Sequence, residues 1–268
     1  NKIKLIQGHS KIYNPPVRKM REVVQTGNLG RLIQLNSWNY NDWLQRPRIA
    51  SEVDTNLGGG IVYRQGPHQT DIVRCIGGGM VRSVRATTGR WDSHFGTEGN
   101  YTAFMNFEDG TPATMVFNAY GFFNITDLTW GIGEGGDKRR RNTRKERLTG
   151  PVEADAKYAM ITESEKERDR PHQPFFGLTI ASCENGDIRQ SPDGLFIYSG
   201  NGCQEVSCSQ ELGRVAELRE LYEGVTQDRP VFPDGRWGKA TLEVCLAILQ
   251  SSREKREVNL SHQVPCPF

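Results

Sequence analysis

Apolar residues along this chain follow two rhythms, and the switch between them divides it into helical ends and a strand-rich middle. Val17, Met20, Val23 and Val24 recur at helical spacing behind the cap Asn14 and Pro15-Pro16, prolines placed in the first turn that tolerates them. Thr26-Gly27 closes that run. A second helix is predicted after the triplet Gly58-Gly59-Gly60, ending at Gly77-Gly78-Gly79. Two more close the chain, one with an apolar stripe at Val215, Leu218, Tyr222 and Val225, the next with Trp237, Thr241, Val244, Ile248 and Leu249. Between them alternation dominates. Residues 31–40, 81–88, 100–107, 111–120, 125–132 and 175–183 read as strands, with shorter ones near 187–190 and 195–198.

Runs of strands flanked by helices predict an α+β fold, an open, mostly antiparallel sheet with helices on one face, rather than a doubly wound sheet. In two strands both faces carry bulk: Tyr101, Ala103, Met105 and Phe107 against Phe104, and Met115 and Phe117 against Val116 and Tyr120. A sheet apolar on both faces needs cover on both. A second copy of the chain is the expected cover for one of them, which predicts a homo-oligomer built through the sheet face. The opening alternation Lys2-Ile3-Lys4-Leu5-Ile6-Gln7 has no neighbouring strand to pair with. Residues 1–10 are therefore expected to be the last strand of a separate dinucleotide-binding domain, and residues 11–268 a substrate-binding and oligomerisation domain with a polar insertion at 137–173. In that insertion the basic run Lys138-Arg139-Arg140-Arg141 and Arg144-Lys145-Glu146-Arg147 precedes Glu163, Glu165, Glu167 and Asp169.

Composition removes several functions. The net charge of +2 demands no polyanionic partner, and no aromatic residues interleave with the arginine run, so no nucleic acid is expected. No apolar run approaches the ~20 residues of a membrane span. The six cysteines contain no C-x-x-C pair and no histidine-paired zinc spacing, which predicts reduced thiols in a cytoplasmic protein and no metal; Cys75 and Cys245 fall on apolar helix faces.

The chemistry gathers around residues 43–71. Glycines at a helix start bring free backbone N–H groups close to an anion, and Gly59 and Gly60 are candidates for that role. His68 follows on the predicted helix with Asp71 three residues on, and a histidine there can move protons near neutral pH. The preceding loop holds Trp43, Arg46 and Arg48, where two arginines beside an aromatic ring suit a carboxylate or phosphate. Arg64, four residues before His68, is expected on the same helix face. These residues point to a small anionic ring as substrate, with His68 catalytic and Trp43, Arg46, Arg48, Arg64, Gly59 and Gly60 binding. His9, His94, His172 and His262 lack such company and are expected to be structural or exposed. Gly131-Ile132-Gly133-Glu134-Gly135-Gly136 matches a dinucleotide-binding pattern, but an arginine run follows it instead of an apolar helix, so it reads as a glycine-rich strand end.

Gly-Gly-Gly-x(7)-His-x-x-Asp after a strand and loop, with Gly8-His9 leading into Asn14-Pro15-Pro16 and a helix ending in Gly27-Asn28-Leu29-Gly30, resembles the C-terminal domain of the glucose–fructose oxidoreductase/inositol dehydrogenase/MocA family. Within it, residues 38–43, Gln65-Gly66-Pro67-His68-Gln69 and residues 235–243 are most similar to the branch of phthalate 4,5-cis-dihydrodiol dehydrogenases, and Phe176-Gly177-Leu178-Thr179-Ile180 and Ser191-Pro192-Asp193-Gly194-Leu195 agree. The resemblance implies an enzyme that oxidises an aromatic dicarboxylate cis-dihydrodiol to the aromatic diol. It implies NAD or NADP held mainly by an N-terminal domain, a catalytic lysine followed by proline at that domain's edge, and this chain inactive by itself. His68 matches the family histidine that helps take the hydroxyl proton. Where the family's sugar and inositol enzymes carry an acid four residues earlier, this chain has Arg64, which suits a carboxylated ring. The same fold in a non-catalytic dimeric binding protein, or a dehydrogenase of another acidic or sugar-like ring, is the alternative.

Overall fold

The computed structural model describes residues 3–139, 150–165 and 170–268. Of the basic run, Lys138 and Arg139 fall inside that set; Arg140, Arg141, Arg144, Lys145 and Arg147 lie outside the described residues, as do Glu167 and Asp169.

Alternation becomes a single mixed sheet. Its strands are β1 (Leu32–Tyr40), β2 (Val81–Gly89), β3 (Asn100–Phe107), β4 (Pro112–Asn118), β5 (Leu178–Cys183), β6 (Gly186–Gln190), β7 (Gly194–Ser199), β8 (Gly202–Ser207) and the short β9 (Val258–Asn259). Among the described residues their order is β8-β7-β6-β5-β1-β4-β3-β2-β9. β2–β3–β4 and β5–β6–β7–β8 are two antiparallel meanders. β1 joins them, antiparallel to β5 and parallel to β4, and that is the one parallel strand pairing among the described residues of the sheet.

The helices lie against one face. α1 (Pro15–Thr26) rests on β6 and β7, α3 (Gly66–Ile76) on β1 and β4, and α6 (Gly235–Glu254) on β2. α1 starts on its prolines, with the Asn14 carbonyl, not its side chain, accepting from the Val17 amide at 2.9 Å. Gly27 ends it at φ 69°, a left-handed cap that favours glycine. The glycine-led helix is two helices: a short α2 (Ile61–Arg64) and α3, broken at Gln65, where Gly66-Pro67 restarts the coil. Tyr101, Ala103, Met105 and Phe107 point from β3 into the core, while Phe104 stands 42% exposed on the opposite face. No helix among the described residues is long and apolar enough to cross a membrane.

Three expectations change. Residues 125–132 are not a strand: Asn124 caps the 3-10 turn Ile125–Leu128 by accepting from the Thr126 amide at 3.0 Å. Ile125 and Ile132 reach the core from a winding loop, whereas Leu128 and Trp130 are exposed, and a loop can mimic alternation in this way. Residues 3–9 pair with no strand among the described residues, and the Gln7 amide bonds to Pro233 O at 2.9 Å. The apolar stripe of α5 (Gly213–Thr226) faces outward, with Leu218, Tyr222 and Val225 each at least 60% exposed; the helix buries Gly213, Glu217 and Gly224 instead. Within 137–173 the chain forms a further helix, α4 (Ala154–Glu165). The strand β8 was not anticipated, because its residues are largely exposed and carry little alternation.

α3 is fixed to the sheet by a polar contact. Gln69 is fully buried, and its amide donates to Ser37 O at 2.9 Å and Val116 O at 3.3 Å, spanning β1 and β4, while its carbonyl accepts from the Tyr101 hydroxyl on β3. Gln69→Leu should cost about 2–4 kcal/mol, since it strands these groups away from water, and Tyr101→Phe about 1–2 kcal/mol. Urea unfolding should show the midpoint falling in that order at unchanged slope.

Candidate active site

Every residue of α3 is buried except His68, which stands in the first turn and is half-buried. Its ring lies edge-on between two others, the His9 ring at 5.3 Å and the Phe176 ring at 5.5 Å between centroids. His68 Nδ1 is buried with no hydrogen-bond partner. Burial first, with His9 and Lys11 nearby adding to it, pushes the imidazole down to about 3 against a weaker opposing pull from Glu134. His68 is therefore neutral at physiological pH, a group that accepts a hydrogen bond or passes a proton without storing charge.

A ring of charge surrounds it. Lys11 Nζ sits 5.5 Å from the Phe176 centroid, 3.5 Å from the Glu134 carbonyl and 3.9 Å from its carboxylate. Arg46 Nη2 is 4.0 Å from the other Glu134 oxygen, and Arg46 Nε donates to Asp42 at 2.8 Å. Arg139 Nη1 reaches Asp42 at 3.5 Å. Burial opposes ionisation of Glu134, yet Lys11, Arg46 and Arg139 outweigh it and hold the carboxyl below its ordinary range. Three cations thus face two carboxylates, and Arg46 Nη2 is buried without a hydrogen-bond partner. The arrangement has room in its charge balance for one more anion.

Of the residues singled out by sequence, His68 and Arg46 are linked here through Glu134, whose charge acts on His68 and whose carboxylate lies 4.0 Å from Arg46. Trp43 is 1% exposed in the core, and Arg48 stacks on its ring at 4.3 Å while donating to its carbonyl at 3.2 Å. Arg48 also faces Glu52 at 4.0 Å, and Lys157 pairs with the same carboxylate at 2.6 Å, so Trp43 and Arg48 brace the loop and do not meet His68. Burial, with Arg46 adding to it, brings Arg48 down to about 10, still charged at neutral pH. Arg64 does not share a helix face with His68, because the break at Gln65 intervenes; it is exposed and has no side-chain partner among the described residues. Gly59 and Gly60 have already spent their amides on Asp54 O and Glu52 O. The anion at the start of α2 is Glu98, which is buried and accepts from the Val62 amide at 3.0 Å and the Thr55 hydroxyl at 2.7 Å. Gly60, at φ 87°, must be glycine because a Cβ would collide with Thr97 and Glu98.

His9, expected to be structural or exposed, belongs to this site: Nδ1 lies 2.9 Å from the Asp71 carboxylate. Lys11, Glu134 and Phe176 were also not singled out. Only the pairing of His68 with an acid one turn on could have hinted at His9, since a carboxylate buried on a helix must recruit a donor. His94 stands apart, exposed and bonded to Asp92 at 2.7 Å. The Gly131–Gly136 turn cradles no phosphate: Phe175 and His172 donate their amides to Gly133 O and Gly136 O, and a Cβ at Gly136 would strike His172 O. The amides of Gly131, Ile132, Gly133 and Gly136 are likewise spent on the chain's own carbonyls, so this turn does not fit the phosphates of a dinucleotide.

Residues 17–124 match the family described as GFO/IDH/MocA C-terminal domain. The chain is 32% identical over 265 residues to the 1-carboxy-3-chloro-3,4-dihydroxycyclo hexa-1,5-diene dehydrogenase of Comamonas testosteroni, an alignment covering 93% of this chain and 66% of that protein. It superposes with a TM-score of 0.87 and 36% identity on a crystal structure from Bordetella bronchiseptica RB50 assigned as a dehydrogenase, covering 96% of this chain and 70% of that one. Levoglucosan dehydrogenase in complex with NADH and levoglucosan shares the fold at 11% identity and a TM-score of 0.71, over 97% and 67% of the two chains. The chain spans just under two thirds of the curated relative it matches.

The buried imidazole makes stability depend on pH. The unfolded chain protonates His68 near the ordinary histidine value of 6.5, whereas the folded chain waits until about 3. The stabilisation is thus complete above 6.5 and is lost as pH falls from there toward 3, at no more than about 1.4 kcal/mol per pH unit. Calorimetry of His68→Gln should show a shallower loss of Tm between pH 7 and pH 4.5 than wild type. Parallel slopes would mean that water reaches the ring.

Proposed function

Because residues 17–124 match the GFO/IDH/MocA C-terminal domain, we propose that this chain is the substrate-binding part of an NAD- or NADP-dependent oxidoreductase acting on a carboxylated cyclic cis-dihydrodiol. The observation that carries this reading is the neutral His68 set beside a cation-rich ring with an unpartnered guanidinium nitrogen on Arg46. The Comamonas relative supports the substrate class, since its name describes a ring with one carboxyl and two hydroxyl groups. A phthalate 4,5-cis-dihydrodiol, with two carboxylates, is the specific substrate proposed. Arg46 and Lys11 bind a substrate carboxylate and His68 accepts the hydrogen bond of a ring hydroxyl. Arg64 serves as a solvent-facing second cation at the rim, while Trp43, Arg48, Gly59 and Gly60 hold the loop and turn that present Arg46.

The nicotinamide cofactor, whose chemistry is to accept a hydride, is assigned to a part of the enzyme outside the described residues, because the Gly131–Gly136 turn is filled by its own chain. What this chain contributes is orientation of the ring, neutralisation of its charge and a path for the hydroxyl proton. No group of three or more histidine, cysteine, aspartate or glutamate residues among the described residues is arranged to hold a metal ion, and none is invoked.

We further propose that the chain assembles through the sheet face opposite the helices. Trp38, Val116 and Phe104 share that face on adjacent strands, and Arg189 stacks there between Trp130 at 4.9 Å and Phe196 at 5.5 Å. Phe104→Glu should convert an oligomer to monomer in sedimentation velocity. A wild-type chain that sediments as a monomer at micromolar concentration would sink this part of the reading.

Kinetics of the oxidoreductase with carboxylated and uncarboxylated cis-dihydrodiols tests the substrate class. Arg46→Ala should raise KM for the carboxylated ring by tenfold or more, corresponding to about 1.5–3 kcal/mol for a charge-assisted bond. It should leave the uncarboxylated ring nearly unaffected. Equal losses on both rings would show that Arg46 serves the loop and not the substrate.

A further inference from the structure

Asp71 lies one helical turn beyond His68 and is wholly buried. Its carboxylate is met by donors: Trp237 Nε1 at 2.9 Å and the Thr241 hydroxyl on Oδ1, and His9 Nδ1 at 2.9 Å on Oδ2. Arg74 supports this layer, stacked on the Trp237 ring at 3.8 Å and donating to the Thr241 hydroxyl at 2.8 Å. An ionised carboxylate only accepts, so His9 must carry its hydrogen on Nδ1. Gln7 packs its side-chain amide against the same nitrogen while its own Oε1 is buried without a partner; turning that amide over presents a second acceptor to the Nδ1–H.

This fixes the other nitrogen. With Nδ1 committed, Nε2 of the neutral ring bears a lone pair, and it has no protein partner among the described residues. The side chain is 26% exposed and lines a cleft of about 410 Å³ with Leu5, Gln7, Tyr63, Pro67 and Leu242. On its other side the ring meets His68 edge-on. A base oriented by a buried carboxylate, open to a cleft and adjacent to the proposed hydroxyl-binding histidine is arranged to carry a proton outward.

We propose that Asp71 and His9 form a proton-relay dyad for the reaction read above, on which this inference rests. As the carbinol C–H bond breaks, its electron pair leaves as hydride to an oxidised nicotinamide, and the carbonyl forms. The hydroxyl proton passes by way of the neutral His68 to His9 Nε2, and the resulting imidazolium is balanced by Asp71 until water in the cleft takes the proton. A carboxylate holds the His9 ring directly, whereas Glu134 acts on His68 only through space and leaves its Nδ1 without a hydrogen bond.

Two measurements test the dyad. In the 15N-labelled chain at pH 8, long-range proton–nitrogen correlations should show His9 protonated at Nδ1 and bare at Nε2, and Asp71→Asn should abolish that preference. A wild-type His9 protonated at Nε2 overturns the proposal. In the oxidoreductase, His9→Asn should lower kcat about 100-fold with KM changed less than threefold. An unchanged kcat overturns the relay whatever the tautomer. His9→Asn alters a partly exposed ring, so this arm survives even if Asp71→Asn fails to fold. An enzyme that turns over no carboxylated cis-dihydrodiol would remove the substrate reading, and the tautomer alone would then decide the dyad.

Discussion

A helix buried on nearly every side must find an internal partner for each polar group it carries, and α3 carries four: Gln69, Thr70, Asp71 and Arg74, all fully buried. Water is not available to any of them, so each one dictates what packs nearby. Gln69 reaches β1 and β4, Asp71 reaches α6 and the His9 segment, and Arg74 reaches α6, Gln263 at 2.9 Å and the carbonyl of Val264. Thr70 has only sulfur neighbours, Met115 and Cys245, both at 3.9 Å. The sheet, the closing helix, the opening segment and the final turn are thus referred to one rod. His68, the single residue of α3 that is not buried, is the point at which that rod meets whatever lies outside.

The surroundings of His68 separate two electrostatic tasks. On one side a carboxylate faces His9, with neutral donors filling the rest of its shell. On the other, Lys11, Arg46 and Arg139 crowd Glu134 and Asp42. Negative charge arriving on the second side would favour the protonated form of His68 against the burial that keeps it neutral. The loop that holds Arg46 is itself braced by Arg48 on Trp43 and by the pairing of Lys157 with Glu52, which restricts how far the guanidinium can retreat.

The strands of the first meander were legible because they alternate against a buried face, and β3 matched residue for residue, whereas β8 of the second meander, largely exposed, was not. Alternation misled only where a capped loop copied its period at 125–132. The α5 stripe was legible as a pattern but not as a direction, since periodicity says that a face is apolar without saying what covers it. For the site, glycine-led entry and a histidine with an acid one turn later drew attention to α3. The partners did not announce themselves. Lys11 and Glu134 meet across 123 residues, and Glu134 sits in a glycine turn whose local pattern suggests a different function. Reading Gly59 and Gly60 as an anion cradle missed Glu98, which is supplied from the loop just before β3 and already occupies that position.

The placement of β1 also sets an order of assembly. Each meander can zip from its own tight turns, but Leu35 of β1 pairs with Ala113 on one side and Ala181 on the other, far downstream in both cases. Closing such loops costs entropy before any pairing offsets it, so the central strand joins last and slowly. Gln69 grips that seam, taking Ser37 from β1 and Val116 from β4. The helix bearing His68 can dock in register only after the slowest pairing in the sheet is made. A partly folded chain would therefore hold most of its strands while its imidazoles remain unassembled, and catalytic competence would lag behind secondary structure.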